Sequence, residues 1–270
     1  MMSIEIKMRS IQKSLAEKVS VLVAFSGGVD SSVLSALAYK ALGENAIAVT
    51  ADSQTLAPGE LLSAKKVAEE IGIRHIVIYY NELEEPAFAG NPVDRCYYCK
   101  KGLLRELKKI ASRNGIDTII EGTNLSDLKN HRPGHKAVIE EGIFNPFVEF
   151  RVTKEEIRKM AHELGLSVAD KPSMACLSSR FPYGQRITAE ALRRVGAAEE
   201  FLKNSGFRIV RVRDHGGIAR IEIAPVDMER LLGSKDAVIC EFKRLGFSYV
   251  TLDLMGFRSG SMDEVLPGSS

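Results

Sequence analysis

Up to about residue 170, short unbroken apolar runs alternate with stretches of helical periodicity. Ile4, Met8, Ile11 and Leu15 recur at three-to-four spacing, which predicts a helix over 3–18 with one apolar stripe. Val21-Leu22-Val23-Ala24-Phe25 then runs apolar up to a pair of glycines, the pattern of a strand buried on both faces of a parallel sheet. Helical spacing follows over 32–42, and a second apolar run over 46–50. A helix near 58–71 leads into Ile76-Val77-Ile78-Tyr79, and one near 99–113 leads into Thr118-Ile119-Ile120. This alternation predicts βαβ crossovers and an α/β fold, a parallel sheet covered by helices. Past 170 the rhythm changes. A helix over 189–203, strands over 207–213 and 217–223 joined through Asp214-His215-Gly216-Gly217, helical segments over 225–245 and a strand near 248–253 predict a smaller α+β domain. The expected division is 1–168 and 169–270, in a stretch that contains Pro and Ser.

Composition narrows the class. The 270 residues are 45% hydrophobic and 27% charged, which suits globular domains and excludes a disordered or fibrous chain. With 37 Lys+Arg against 35 Asp+Glu, a net charge of +2 offers no electrostatic footprint for nucleic acid. The start of the chain has no basic region followed by an apolar one, and no run approaches the length of a membrane span. A cytoplasmic protein is expected, with no membrane partner. Its four cysteines are too sparse for a disulfide scaffold, so they bind metal, do chemistry or pack.

Ser26-Gly27-Gly28-Val29-Asp30-Ser31-Ser32 falls where the first strand ends and the first crossover helix begins. Such a position suits anion capture: glycine-turn amides point inward, the helix N-terminus adds positive potential, and hydroxyls add donors. An ordinary glycine turn with a Ser or Asp cap is the plainer alternative for any one of these residues. The heptapeptide as a whole, directly after a buried strand, favours phosphate binding. It lacks the Lys-Ser/Thr pair of a Walker loop and the spacing of a dinucleotide fingerprint. It resembles the PP-loop of the ATP pyrophosphatases related to the adenine-nucleotide α-hydrolases. That resemblance implies that the loop holds the β- and γ-phosphates, that Asp30 lies near Mg²⁺ or phosphate, and that Ala24 and Thr50 lie near the adenosine.

Cys96-Tyr97-Tyr98-Cys99 opens a predicted helix, and two thiols three residues apart can converge on one metal. A ligand-free surface pair or a redox dithiol is the alternative. Cys176 lies in a polar segment, Lys171-Pro172-Ser173-Met174-Ala175-Cys176-Leu177-Ser178-Ser179-Arg180, as a candidate nucleophile or ligand. Cys240 sits in an amphipathic helical pattern and is expected in the core. A zinc site would need a fourth ligand, and His75, His131, His135 and Cys240 all lack persuasive spacing. Three thiolates suit a 4Fe-4S cluster with one open iron.

Together with the loop, the segments Asn91-Pro92-Val93-Asp94-Arg95, Glu121-Gly122-Thr123-Asn124, Asp127, Arg132-Pro133-Gly134, Pro172-Ser173-Met174-Ala175-Cys176-Leu177, Arg211-Val212-Arg213 and Gly256-Phe257-Arg258-Ser259-Gly260-Ser261-Met262 carry a resemblance, nearly end to end, to the LarE family of ATP-dependent sulfur transferases. It implies adenylation of a carboxylate of a pyridinium biscarboxylate mononucleotide with pyrophosphate release. Sulfur then replaces AMP, giving a thiocarboxylate for the nickel-pincer nucleotide of lactate racemase. Gly122 joins the nucleotide-binding set; Cys176 is the sulfur-handling residue; Arg180, Arg211, Arg213 and Glu200 are placed at the substrate. The added Cys96 and Cys99 resemble the variant in which these two and Cys176 hold a 4Fe-4S cluster. Sacrifice of the Cys176 sulfur, tRNA thiolation by a related PP-loop enzyme, and a nucleotide-binding regulator without chemistry are the alternatives. A small anionic nucleotide substrate and assembly into a homo-oligomer complete the expectations.

Overall fold

The computed structural model describes residues 3–129, 133–258 and 260–266, so His131, Arg132 and Ser259 lie outside the described residues. The first part of the chain runs α1 (Ile4–Ala16), β1 (Val21–Ala24), α2 (Val29–Leu42), β2 (Ala46–Ser53), α3 (Glu60–Ile71), β3 (Arg74–Tyr80), α4 (Pro86–Ala89), α5 (Arg95–Arg113), β4 (Thr118–Ile120), α6 (Pro133–Glu140), α7 (Pro146–Glu149) and α8 (Lys154–Glu163). The remainder runs α9 (Ala189–Asn204), β5 (Val210–Asp214), β6 (Ile218–Ile223), α10 (Met228–Gly233), α11 (Lys235–Arg244) and β7 (Tyr249–Leu252). The chain forms two compact units. One holds residues up to Ser53 with Gly59–Glu85 and Asp94–Met174; the other holds Gln54–Pro58, Pro86–Val93 and Ala175 onward.

The first unit is built on a parallel sheet of order β3-β2-β1-β4. Val21 pairs with Ala46 on one side and with Thr118 on the other. Successive side chains of β1 point to opposite faces, and both faces are covered. Val21 and Val23 pack with residues of α1, α2, α3 and α8, including Leu15, Val33, Ala64 and Ile157. Leu22, with Ile47 and Val49 of β2, packs against Leu104 and Leu107 of α5 and Val138 of α6. This explains why β1 reads as a continuous apolar run. The chain steps from β1 to β2 and β3 on one side, then returns to β4 on the other. The strand order therefore reverses at the carboxyl end of β1, where open α/β sheets bind ligands.

In the second unit β5 and β6 pair antiparallel, Val210 with Ile223 and Arg213 with Arg220, and β6 pairs parallel with β7. Val210, Val212, Ala219, Ile221 and Ile223 are buried, and α9 packs on β5. Arg211, Arg213, Arg220 and Glu222 occupy the opposite face of this hairpin. One expectation fails in this unit. Cys240 is exposed, because α11 buries Val238 and Phe242, one helical turn apart, and Cys240 falls on the far side of that stripe. Among the described residues, no helix is long and apolar enough to cross a membrane.

Candidate functional site

The loop after β1 is held by contacts from several elements of its own unit. Phe25 N donates to Val49 O at 2.9 Å, and Phe25 O accepts from Thr50 Oγ1 at 2.8 Å. Thr50 is buried and also meets His75 Nε2 at 2.8 Å. Burial, and secondarily the charge of Lys65, depress the His75 pKa, which favours the neutral ring. Gly27 has φ +68°, and a Cβ there would lie 2.7 Å from Ala64 Cα, so only glycine lets the loop and α3 approach this closely. Gly28 O accepts from Ser31 Oγ at 3.1 Å and Ser32 Oγ at 2.8 Å, while Gly27 O faces Lys171 Nζ at 3.4 Å. Gly28 is the extended N-cap of α2, and no side chain caps that helix. The loop carbonyls are thus engaged, and the first-turn amides of α2 are left for an anion.

Asp30 stands on that first turn. Its carboxylate pairs with Lys154 Nζ and accepts from Asn124 Nδ2 at 3.3 Å. Asn124 is fully buried and donates to Asp127 Oδ2 at 2.7 Å. A Cβ on Gly122 would lie 3.2 Å from both Asp30 Cβ and Ser31 N, so the segment after β4 lies against the start of α2. Next to it, the buried Glu121 pairs with Lys100 at 2.6 Å and accepts from Thr123 Oγ1. Burial alone would raise the Glu121 pKa; Lys100 and Thr123 outweigh it and hold the carboxyl below its usual range. Of the expected nucleotide set, the structure places Ala24, Ser26, Gly27, Gly28, Asp30, Ser31, Ser32, Thr50 and Gly122 at the carboxyl end of β1 and its neighbours. Sequence reasoning missed Lys154, although the Thr153–Glu156 capping box announces the helix that carries it.

Cys96 and Cys99 lie on the first turn of α5, Cys96 exposed and Cys99 half-buried. Burial and then the charge of Cys99 raise the pKa of Tyr80, whose hydroxyl donates to Cys99 O at 3.2 Å. Both belong to the first unit and Cys176 to the second. Among the described residues, no group of three or more His, Cys, Asp or Glu side chains is gathered as a metal site. Cys176 is exposed, and its Sγ shares a 2.8 Å hydrogen bond with Ser178 Oγ.

Behind Cys176 stands a buried charge network. Arg180, fully buried, donates through Nε and Nη2 to Glu199 at 2.7 and 3.1 Å, and through Nη1 to the carbonyls of Ala175 and Cys176. Arg213 donates to both oxygens of the buried Glu222, to Ser179 O at 2.9 Å and to Ser261 Oγ at 3.0 Å. Arg211 is half-buried, stacks on Phe257 with its guanidinium 5.3 Å from the ring centroid, and among the described residues makes one side-chain hydrogen bond, to Val210 O. Burial, followed by the nearby charge of Arg180, lowers its pKa. The structure therefore brings Arg180 and Arg213 to Ser179 and its neighbours and presents Arg211 beside them on the hairpin. Glu200 is exposed on α9; the carboxylate in the network is Glu199, one residue earlier.

A glycine- and serine-rich anion loop at the strand-order reversal of a helix-covered parallel sheet defines an α/β protein of the PP-loop ATP-binding class. The asparagine synthase family model, of the same class, matches residues 8–87. Over nearly its whole length the chain belongs to the LarE family of ATP-dependent sulfurtransferases. It is 38% identical over 267 residues to the pyridinium-3,5-bisthiocarboxylic acid mononucleotide synthase of Lactiplantibacillus plantarum, covering 98% of this chain and 97% of that one. It is 42% identical over 265 residues to an uncharacterized Synechocystis protein, covering 97% and 99%. An uncharacterized Methanocaldococcus jannaschii protein is 31% identical over 254 residues, covering 94% and 97%.

Proposed function

We propose that this chain uses ATP to convert a carboxylate of pyridinium-3,5-biscarboxylate mononucleotide into a thiocarboxylate in nickel-pincer nucleotide biosynthesis. The observation that carries this is the uncapped start of α2 behind Gly27 and Gly28, in a chain alike end to end to a named synthase of that product. A carboxylate is a poor acyl donor until its oxygen becomes a leaving group. Its oxygen attacks the α-phosphorus, the bond to the β-phosphate breaks, and pyrophosphate departs; a sulfur nucleophile then attacks the acyl carbon and AMP leaves. The α2 amides and the loop stabilise the negative charge that collects on pyrophosphate. Asp30, part-exposed beside the side-chain amide of Asn124, supplies oxygen chemistry suited to Mg²⁺.

Arg211 donates to Val210 O alone among the described residues, which leaves donors to spare, and it contacts the substrate phosphate in this reading. Arg180 and Arg213 order the Cys176 segment, and Glu200 approaches the substrate only from the surface. For the sulfur source, Cys96, Cys99 and Cys176 are the thiols proposed to hold a 4Fe-4S cluster, on the ground that cysteine thiolates are the donors such a cluster takes. Such a cluster, when bound, supplies sulfide at its open iron. Cys96 and Cys99 are i and i+3 at the start of a helix, where the helix dipole favours thiolate.

Anaerobic protein mixed with ATP and the biscarboxylate mononucleotide is expected to release pyrophosphate only when both are present. Intact mass measured after turnover is expected to show Cys176 unchanged. Loss of roughly one H₂S from Cys176 would instead identify it as the sulfur donor. Absence of pyrophosphate release would end the adenylation reading.

A further inference from the structure

A glycine stands inside α5 where the backbone has no need of one. Gly102 lies in the helix interior without a left-handed φ, and glycine weakens such a position relative to alanine. Space explains it. A Cβ at Gly102 would run into Tyr80 Oη and lie 3.2 Å from Tyr80 Cζ. The bare backbone lets the phenol reach the helix, where its hydroxyl donates to Cys99 O at 3.2 Å.

Strand phase brings Tyr80 there. It is the last residue of β3, opposite Ser53 of β2, on the same face as Ile76 and Ile78. Those two pack against the cluster that holds Leu104 and Leu107 of α5, while Tyr79 on the other face is exposed. The start of α5 has use for such a hold, because its N-cap, Asp94, makes no side-chain cap hydrogen bond. Other ties reach the same stretch: Tyr97 Oη donates to Glu140 Oε2 of α6 at 2.7 Å, and Lys100 Nζ pairs with Glu121 beyond β4 at 2.6 Å. The Tyr80 hydroxyl acts on a cysteine itself.

Resting on the reading of Cys96 and Cys99 as sulfur ligands, we infer that Tyr80 and Gly102 are a positioning pair for these two thiols. The glycine opens a seat on α5 and the phenol fills it. Its hydroxyl fixes the Cys99 carbonyl to the end of β3, so that the thiols at i and i+3 face one thiophilic centre. The pair acts through the backbone of Cys99 and not through its sulfur.

Two substitutions remove the same contact by different routes. Tyr80→Phe deletes only the hydroxyl; Gly102→Ala pushes it off Cys99 O and leaves Tyr80 and both cysteines unchanged. The probe is phenylarsine oxide on reduced, anaerobic full-length protein, since its arsenic forms two As–S bonds with neighbouring thiols and releases water. Binding above the level of Cys96→Ser reports the Cys96–Cys99 pair. Each variant is expected to bind the arsenical about three- to tenfold more weakly, the scale of one hydrogen bond. The double variant is expected to lose no more than either single one, because the contact is lost only once. Amide hydrogen exchange over 96–103 is expected to quicken in all three, with Tm nearly unchanged. Unchanged arsenical affinity would overturn the inference, as would losses that add in the double variant or that merely follow a fall in Tm. Wild-type protein that binds no more tightly than Cys96→Ser would remove the reading of the two thiols as joint ligands. Wild-type binding matched by the variants removes only the role of Tyr80 and Gly102.

Discussion

Glu199 and Glu200 are adjacent acids on α9 with different surroundings. Glu199 is buried with both oxygens on Arg180, and it also accepts from Val212 N at 3.1 Å; Glu200 is exposed. Leu192, Val195 and Leu202 mark the buried stripe, and Glu199 falls in phase with them. That phase was legible in the sequence, but an acid in an apolar stripe has no evident partner until the fold delivers one. Removing one member of a buried pair strands the other, so Glu199→Ala is expected to cost about 3–5 kcal/mol in denaturant unfolding. Glu200→Ala is expected to stay within about 0.5 kcal/mol. Equal losses would mean that the buried pair does not hold the Cys176 segment. Cys240 teaches the complementary lesson: an amphipathic pattern announces a helix, but its phase is set by which neighbours pack, and Val238 and Phe242 won.

At the scale of elements, strands and their flanking helices were readable because burial on both faces of the parallel sheet demands unbroken apolar runs. The loop after β1 was readable because phosphate binding needs backbone freedom at fixed places. Gly27 shows the limit of that legibility. Its glycine is explained by the anion loop, yet the structure adds the close approach of Ala64 on α3. Gly27→Ala is expected to lose at least about 1–2 kcal/mol from the left-handed backbone alone, with a further loss from the clash, read as a lowered Tm. A variant with unchanged Tm would show that the loop can shift away from α3. Helix α8 has the opposite history. Its capping box was in the sequence, but the reason it matters, the ion pair of Lys154 with Asp30, joins residues far apart in the chain.

For the whole molecule, the second unit is discontinuous in sequence. Leu177 N donates to Thr55 O, Gly184 N to Asn91 O and Ile187 N to Ala89 O, all within that unit. A fragment of residues 169–270 lacks these acceptors. It is expected to give a poorly dispersed amide spectrum that gains dispersion only in the full chain; a well-dispersed fragment would show that the two excursions are dispensable. The sequence by itself determined the α/β class, the anion loop and the family resemblance, because these depend on local periodicity and on residues close together in the chain. Only the tertiary structure decided that Gln54–Pro58 and Pro86–Val93 join the second unit, that Glu199 is the buried acid, and that Lys154 faces Asp30. Those pairings depend on how distant segments meet, and burial sets a partner's worth only after the chain has closed around it.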